Sequence, residues 1–206
     1  MTAAGPRPGP RPQLAALQIA DPPSAWQALG FTAVDGVVSL GGIELWLDAA
    51  GHGITGWTLR HVSVRGDIDG LPTGVTTDPP PPDVRHPNRA LGLDQVVVTT
   101  PDFDRTAMVL GEAGMPLRRI VDAGGFRQGF RRLGPAILEV VEVPRGPVGP
   151  ARFWGLVVIV PDLHELRERL APFVGDPRDA VQPGRQIASL SADAGLSPKV
   201  AFMNLE

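Results

Sequence analysis

Few side chains in this sequence are equipped for chemistry, and their types narrow the options quickly. The chain has no Cys, which excludes thiolate catalysis, disulfides and thiolate metal sites. Its histidines are scattered: His52 and His86 fall in turn-rich segments, and His164 opens a helix and should face solvent. His61, near the end of an N-terminal strand, is the one odd candidate for a cleft. Ser24, Ser39, Ser63, Ser189, Ser191 and Ser197 lack the strand-turn-helix context of a nucleophile elbow. No Gly-rich loop follows a strand with the spacing that cradles phosphate. What remains is Glu139, inside the apolar run Ala136-Ile-Leu-Glu-Val-Val-Glu142, and the polar run Arg127-Gln128-Gly129-Phe130-Arg131-Arg132 just before it. With Gly134-Pro135 as a two-residue turn, Phe130 pairs with Glu139, so Phe126, Gln128 and Phe130 share its side. Alternation then turns Arg127 and Arg131 away, toward solvent. A carboxylate in a largely apolar cleft has a raised pKa, which suits it to proton transfer. Gln182 and Arg185, in the turn-rich loop 179–185, are within reach of such a cleft's mouth.

The elements that must position these residues are announced by a repeat. Gly92-Leu-Asp-Gln-Val-Val-Val-Thr-Thr-Pro-Asp-Phe103 recurs as Arg152-Phe-Trp-Gly-Leu-Val-Val-Ile-Val-Pro-Asp-Leu163. Each copy reads as an apolar strand that ends at Pro-Asp, where a helix begins. In the first copy Phe103, Ala107 and Leu110 share a helical face, and strands fit Leu117–Val121, Phe126–Leu133 and Ala136–Val143. In the second, Leu163, Leu166 and Leu170 align, Pro172 stops the helix, and strands fit Ile187–Ser191 and Lys199–Asn204. A weaker copy lies upstream: strand Leu14–Ala20, helix Ala25–Leu29, a hairpin around Asp35-Gly36, and strands Ile43–Leu47 and Ile54–Val62. Glu44 there reads as a solvated residue on an edge strand. The expected organisation is a Pro-rich disordered tail (1–13), a degenerate N-terminal module (14–65), a Pro-rich linker (66–90) and a paired unit (91–206) with modules 91–145 and 151–206. Leu17, Ile19, Trp26, Leu29, Leu45 and Leu47 are too few for a secure core, so the N-terminal module should pack on the repeat pair or on a second subunit.

Composition sets the outer limits. A length of 206 residues with 43% hydrophobic and 20% charged residues describes a soluble globular chain. A net charge of −3 argues against a nucleic-acid partner, and no apolar run is long enough to span a membrane. The default location is the cytoplasm. Basic residues are nearly all Arg, Lys199 being the exception.

Two tandem βαβββ modules, the first opening Leu93-Asp94-Gln95-Val96-Val97 and running into Thr100-Pro101-Asp102, resemble the vicinal oxygen chelate superfamily of glyoxalases, bleomycin-resistance proteins and extradiol dioxygenases. The resemblance implies an α+β fold in which the modules form a partly open barrel around a central cleft. It also implies four inward positions that hold a divalent metal in the superfamily's enzymes. Here they correspond to Gln95, Glu139, Gly155 and Ala201, or Phe202 if the register slips by one. Only the first two can donate to a metal, so no catalytic metal is expected. The implied site is Glu139 as the reactive group, with Gln95, Gln128, Phe130, Gly155, Gln182 and Arg185 around a small organic ligand. Gly155 should leave open space in it. A metal-free binding protein, holding its ligand between modules or at a homodimer interface, is the favoured reading. The alternative is a lyase, isomerase or dioxygenase that uses Glu139 as base or metal ligand.

Overall fold

The computed structural model describes residues 9–64, 66–146 and 148–205. Residues 1–8 of the expected tail lie outside the described residues, and Gln13 already belongs to a strand. The N-terminal unit comprises β1 (Gln13–Ile19), α1 (Pro23–Ala28), β2 (Val37–Leu40), β3 (Ile43–Trp46), β4 (Ile54–Arg60) and β5 (Thr73–Val75). These strands form one sheet in the order β2-β3-β1-β4-β5. The C-terminal unit comprises β6 (Gly92–Thr100), α2 (Phe103–Glu112), β7 (Arg119–Asp122), β8 (Arg127–Leu133) and β9 (Ala136–Glu142). It continues with β10 (Arg152–Val160), α3 (Leu163–Arg169), β11 (Arg178–Asp179), β12 (Gln186–Ser189) and β13 (Lys199–Asn204). Its eight strands run in the order β11-β12-β13-β10-β6-β9-β8-β7.

The Pro-Asp signature does the same job in both repeats. Pro lacks an N–H and stops the strand, and the Asp then caps the helix. Asp102 Oδ1 accepts from the Arg105 N–H at 3.0 Å, and Asp162 Oδ1 accepts from the Glu165 N–H at 2.9 Å. Strands β6 and β10 lie side by side and antiparallel at the sheet centre, each carrying the last strand of its own module in parallel. The central pairing shifts register twice, leaving Trp154 and Asp94 as the extra residues. These two occupy the same position in the repeat, so the modules are related by a pseudo-twofold. Alternation then sorts the side chains. Val96, Val98, Leu138 and Val140 are fully buried in one apolar core with Phe103 and Leu110 of α2. Each such side chain contributes about 1.5–3 kcal/mol relative to exposure. Gln95, Val97, Glu139 and Val141 face the other way.

The N-terminal sheet differs from expectation. Strand β1 has β3 parallel on one side and β4 antiparallel on the other, and β5 lies parallel on β4. That is the pattern of β6 with β9, β10 and β13. The unit is therefore a trimmed pair of modules rather than one module. Among the described residues it has no second helix, and those between β4 and β5 form only the bridge Ile68–Leu71. The first arm of the expected hairpin around Asp35-Gly36 shrinks to the bridge Val34–Val37. Glu44 is not on an edge, since β3 lies between β2 and β1, and it accepts a hydrogen bond from Trp46 Nε1 at 2.8 Å.

The segment 66–90, expected as a linker, is built into the fold. It contains β5, and its prolines accept hydrogen bonds although they donate none. Arg60 donates from Nε to the Asp78 carbonyl at 2.6 Å and from Nη2 to the Pro79 carbonyl at 3.2 Å. Further on, His86 and Asn88 are buried.

The two sheets share one core. Leu17, Ile19, Trp26, Leu29 and Leu45 are buried in it, with Leu47 packed against it. Trp57 meets Phe153 edge-on at 5.4 Å, and Phe31 stacks on Phe202 at 6.4 Å between ring centroids. Asp21 caps this seam by accepting from Trp26 Nε1 (3.2 Å) and from the Ser197 N–H (2.9 Å). Among the described residues no helix is long and apolar enough to cross a membrane.

Candidate functional site

The face of the eight-stranded sheet turned away from its helices encloses a cavity of about 500 Å³ between the two modules. Strands β6 and β9 bring Gln95, Val97, Glu139 and Val141 to it, as their alternation demands. Strand β8 adds Gln128, whose Nε2 donates to Glu139 Oε1 at 3.0 Å. The opposing module supplies Val157, Ile187, Ser189 and Ala201, a largely apolar wall. Trp154, Arg178 and Lys199 line the cavity as well and are exposed, which puts them at its mouth.

Burial in this apolar setting pushes the Glu139 carboxyl above its usual range. No salt bridge to Glu139 forms among the described residues, so no cation offsets that burial. The amide of Gln128 is the partner that orients it. Gln95 shares the cavity without being that partner.

The remaining expected residues part company here. Phe130 pairs with Glu139 in register, yet it does not line the cavity and lies under the Arg119 guanidinium at 5.8 Å. Gly155 leaves no open space. A Cβ there would meet the Lys199 carbonyl oxygen at 2.2 Å, so the absent side chain is what lets β13 lie against β10. Gln182 does not line the cavity, and its carbonyl closes the turn to the Arg185 N–H at 3.2 Å. Arg185 donates to Asp94 Oδ1 and to the Asn204 carbonyl, each at 3.0 Å, and so ties the last loop to β6 and β13 instead of reaching a ligand. His61 is exposed at the end of β4. His86 accepts from the Thr32 N–H at Nδ1 (3.0 Å) and donates from Nε2 to the Ser39 carbonyl (2.8 Å), which makes it structural. Trp154, Arg178 and Lys199 escaped the sequence reading. For Lys199 a signal was present: it stands two residues before Ala201 on one strand and so on the same face.

Comparison with known proteins bears on the architecture as a whole. No family model matches the chain, and no curated protein matches it. Among solved structures, the crystal structure of BphC, a halotolerant catechol dioxygenase, superposes with a TM-score of 0.65 at 13% identity, over 94% of this chain and 86% of that one. The two chains share a fold, one consistent with the tandem-module pattern read from the sequence. Methylmalonyl-CoA epimerase from Mycobacterium tuberculosis is 17% identical over 57% of this chain and 90% of its own, with a TM-score of 0.48. The likeness to BphC covers 94% of this chain and so takes in both sheets, the trimmed N-terminal pair included.

That fold raises the question of its metal, and the donor set does not fit one. Of the four inward positions, Gln95 and Glu139 carry donors, whereas Gly155 has none and Ala201 presents a methyl group. Phe202 is excluded as the fourth position because it turns into the core against Phe31. Among the described residues no three His, Cys, Asp or Glu side chains converge. Two donors, one of them a neutral amide, make a weak trap for a divalent cation.

Proposed function

We propose that this chain is a glyoxalase-like small-molecule-binding protein that holds an organic ligand in the cavity between its modules, without a catalytic metal. The carrying observation is a cavity with apolar walls and one half-buried acid, Glu139, steadied by Gln128. Its volume of about 500 Å³ suits a small organic molecule. Gln95 and Gln128 supply amide hydrogen bonds at the floor, and Trp154, Arg178 and Lys199 favour a ligand whose outer end is aromatic or anionic. We place the protein in the cytoplasm, with neither nucleic acid nor membrane as partner, and leave a homodimer open to measurement.

The raised pKa of Glu139 favours one reading beyond binding, an isomerase step. In it the carboxylate takes a proton from an acidic C–H of the ligand and returns it to the same or a neighbouring carbon.

The test is NMR titration with a panel of small aromatic carboxylates, beside elemental analysis of the dialysed protein. Saturable shifts at Gln95, Gln128 and Trp154, weakened about tenfold in Lys199→Ala, would support the proposal. Tight zinc, nickel or iron that disappears in Glu139→Ala would overturn its metal-free part.

A further inference from the structure

A second concave site lies where β1 begins beside the β8–β9 hairpin. Arg11, Arg118, Arg131 and Arg132 converge there on an open cleft of about 670 Å³, completed by Pro12, Gln13 and Gly134. It is separate from the cavity above. Arg131 sits in register with Leu138, on the helix-bearing face, and neither Gln95 nor Glu139 lines the cleft.

Among the described residues the four arginines of this cleft have no acidic partner. Arg89, Arg105, Arg127, Arg167, Arg169 and Arg185 all form salt bridges, but none of these four does so among the described residues. Arg131 Nε is buried with no hydrogen-bond partner, and its Nη1 reaches only the Pro116 carbonyl at 3.4 Å. Burial first, then the positive charges of Arg118 and Arg11, holds the Arg131 pKa below the ordinary arginine value. Arg132 is steadied by the Gly134 and Pro135 carbonyls at 3.3 Å each. A chain of net charge −3 thus gathers four cations at one place and leaves them uncompensated. Mutual repulsion and an unsatisfied donor both cost stability, and a bound anion would relieve both.

We propose that this cleft binds a small phosphate-bearing anion. Guanidinium groups match phosphate oxygens in paired hydrogen bonds, and four of them suit a diphosphate, which carries more charge than a single carboxylate. Four arginines meet in one cleft of about 670 Å³ on a chain of net charge −3, which favours a small anion over a nucleic-acid polymer. The site draws on both units, since Arg11 precedes β1 while the other three flank or belong to β7 and β8.

The full chain should be titrated calorimetrically with inorganic pyrophosphate and, separately, with ADP, at about 0.15 M salt so that loose ion pairing is screened. Saturable one-site binding, weakened about tenfold or more in Arg118→Ala and in Arg132→Ala but unchanged in Arg178→Ala, is the expected result. Both test positions are exposed, so folding should survive, and a thermal melt of each variant checks this. Tighter ADP than pyrophosphate would assign the site to a nucleotide, and equal affinities would assign it to the free phosphate compound. Absence of saturable binding, binding untouched by the Arg118 and Arg132 variants, or binding of DNA without binding of pyrophosphate would each overturn the proposal.

Discussion

The two sheets of this protein share a strand plan and differ in what their outward faces do. In both, a central antiparallel pair (β1 with β4, β6 with β10) carries a parallel neighbour on each side. The C-terminal sheet keeps all eight strands, and their breadth encloses a cavity. The N-terminal sheet has five strands and one helix among the described residues. Its outward face, where Thr58 and Arg60 alternate with the core residues Trp57 and Leu59, is crossed by the segment at Asp78 and Pro79 that Arg60 holds. The same plan therefore gives an open cavity where the sheet is complete and a covered structural face where it is trimmed. Both sheets bury their helix-side faces in one core, so the trimmed half stabilises the half that carries the site.

Interdependence of the halves is the part of this contrast with the largest expected effect. Trp57→Ala removes a fully buried side chain at the seam and its contact with Phe153, and should cost about 3–5 kcal/mol. Denaturant unfolding followed by circular dichroism should still show one transition. Two separate transitions would mean that the sheets fold independently.

The second way to sharpen the contrast lies in the complete sheet. Gly155→Ala pushes a methyl group into the Lys199 backbone and should cost about 1–3 kcal/mol, read as a lower thermal midpoint. A neutral substitution would show that β13 has room to move, and that Gly155 is a vacancy after all.

The third concerns the covered face. Arg60→Met removes the donors to the Asp78 and Pro79 carbonyls and should cost about 1–3 kcal/mol. Limited proteolysis should then cut within residues 76–83 faster than in the wild type. An unchanged cleavage rate would mean that the segment is held by something else.

A smaller, pH-dependent effect comes from His86. Burial lowers its pKa below 6.5, and its Nδ1 faces an N–H, so the fold favours the neutral ring. The folded chain therefore binds fewer protons than the unfolded one. Stability from this residue is complete above about pH 6.5 and falls as the pH drops toward the folded pKa. Melting midpoints from pH 7.5 to 5 should decline in the wild type and decline less in His86→Gln. Equal slopes would remove His86 from the explanation.

Much of the C-terminal half was legible because apolar alternation and the Pro-Asp punctuation are local signals. They located β6, α2, β10 and α3 and set the inward face of Gln95 and Glu139. The pairing of Phe130 with Glu139 followed from a two-residue turn. What the sequence hid was non-local. The crowding of Gly155 depends on the backbone of a strand that begins 44 positions later, at Lys199. The ties of Arg185 to Asp94 likewise join distant positions. Strand β5 is three residues long inside a Pro-rich stretch, too short to show periodicity, and the covering of the N-terminal face depends on carbonyls that prolines still offer.

The complete sheet keeps an open cavity lined by a carboxyl whose pKa is raised by burial, and Glu139 itself reports on this most directly. A pH titration of its side-chain carboxyl carbon by NMR in the ligand-free wild type, with Glu139→Gln to assign the resonance, measures that property without knowledge of the ligand. The fold raises this pKa, so the folded state binds more protons. The associated stability is complete below pH 4.5 and is lost as the pH rises through the folded value, so Glu139→Gln should melt higher than wild type at pH 7. The expected midpoint lies clearly above 4.5. A midpoint at or below 4.5 would place the carboxylate in water or beside a cation, and would contradict the claim.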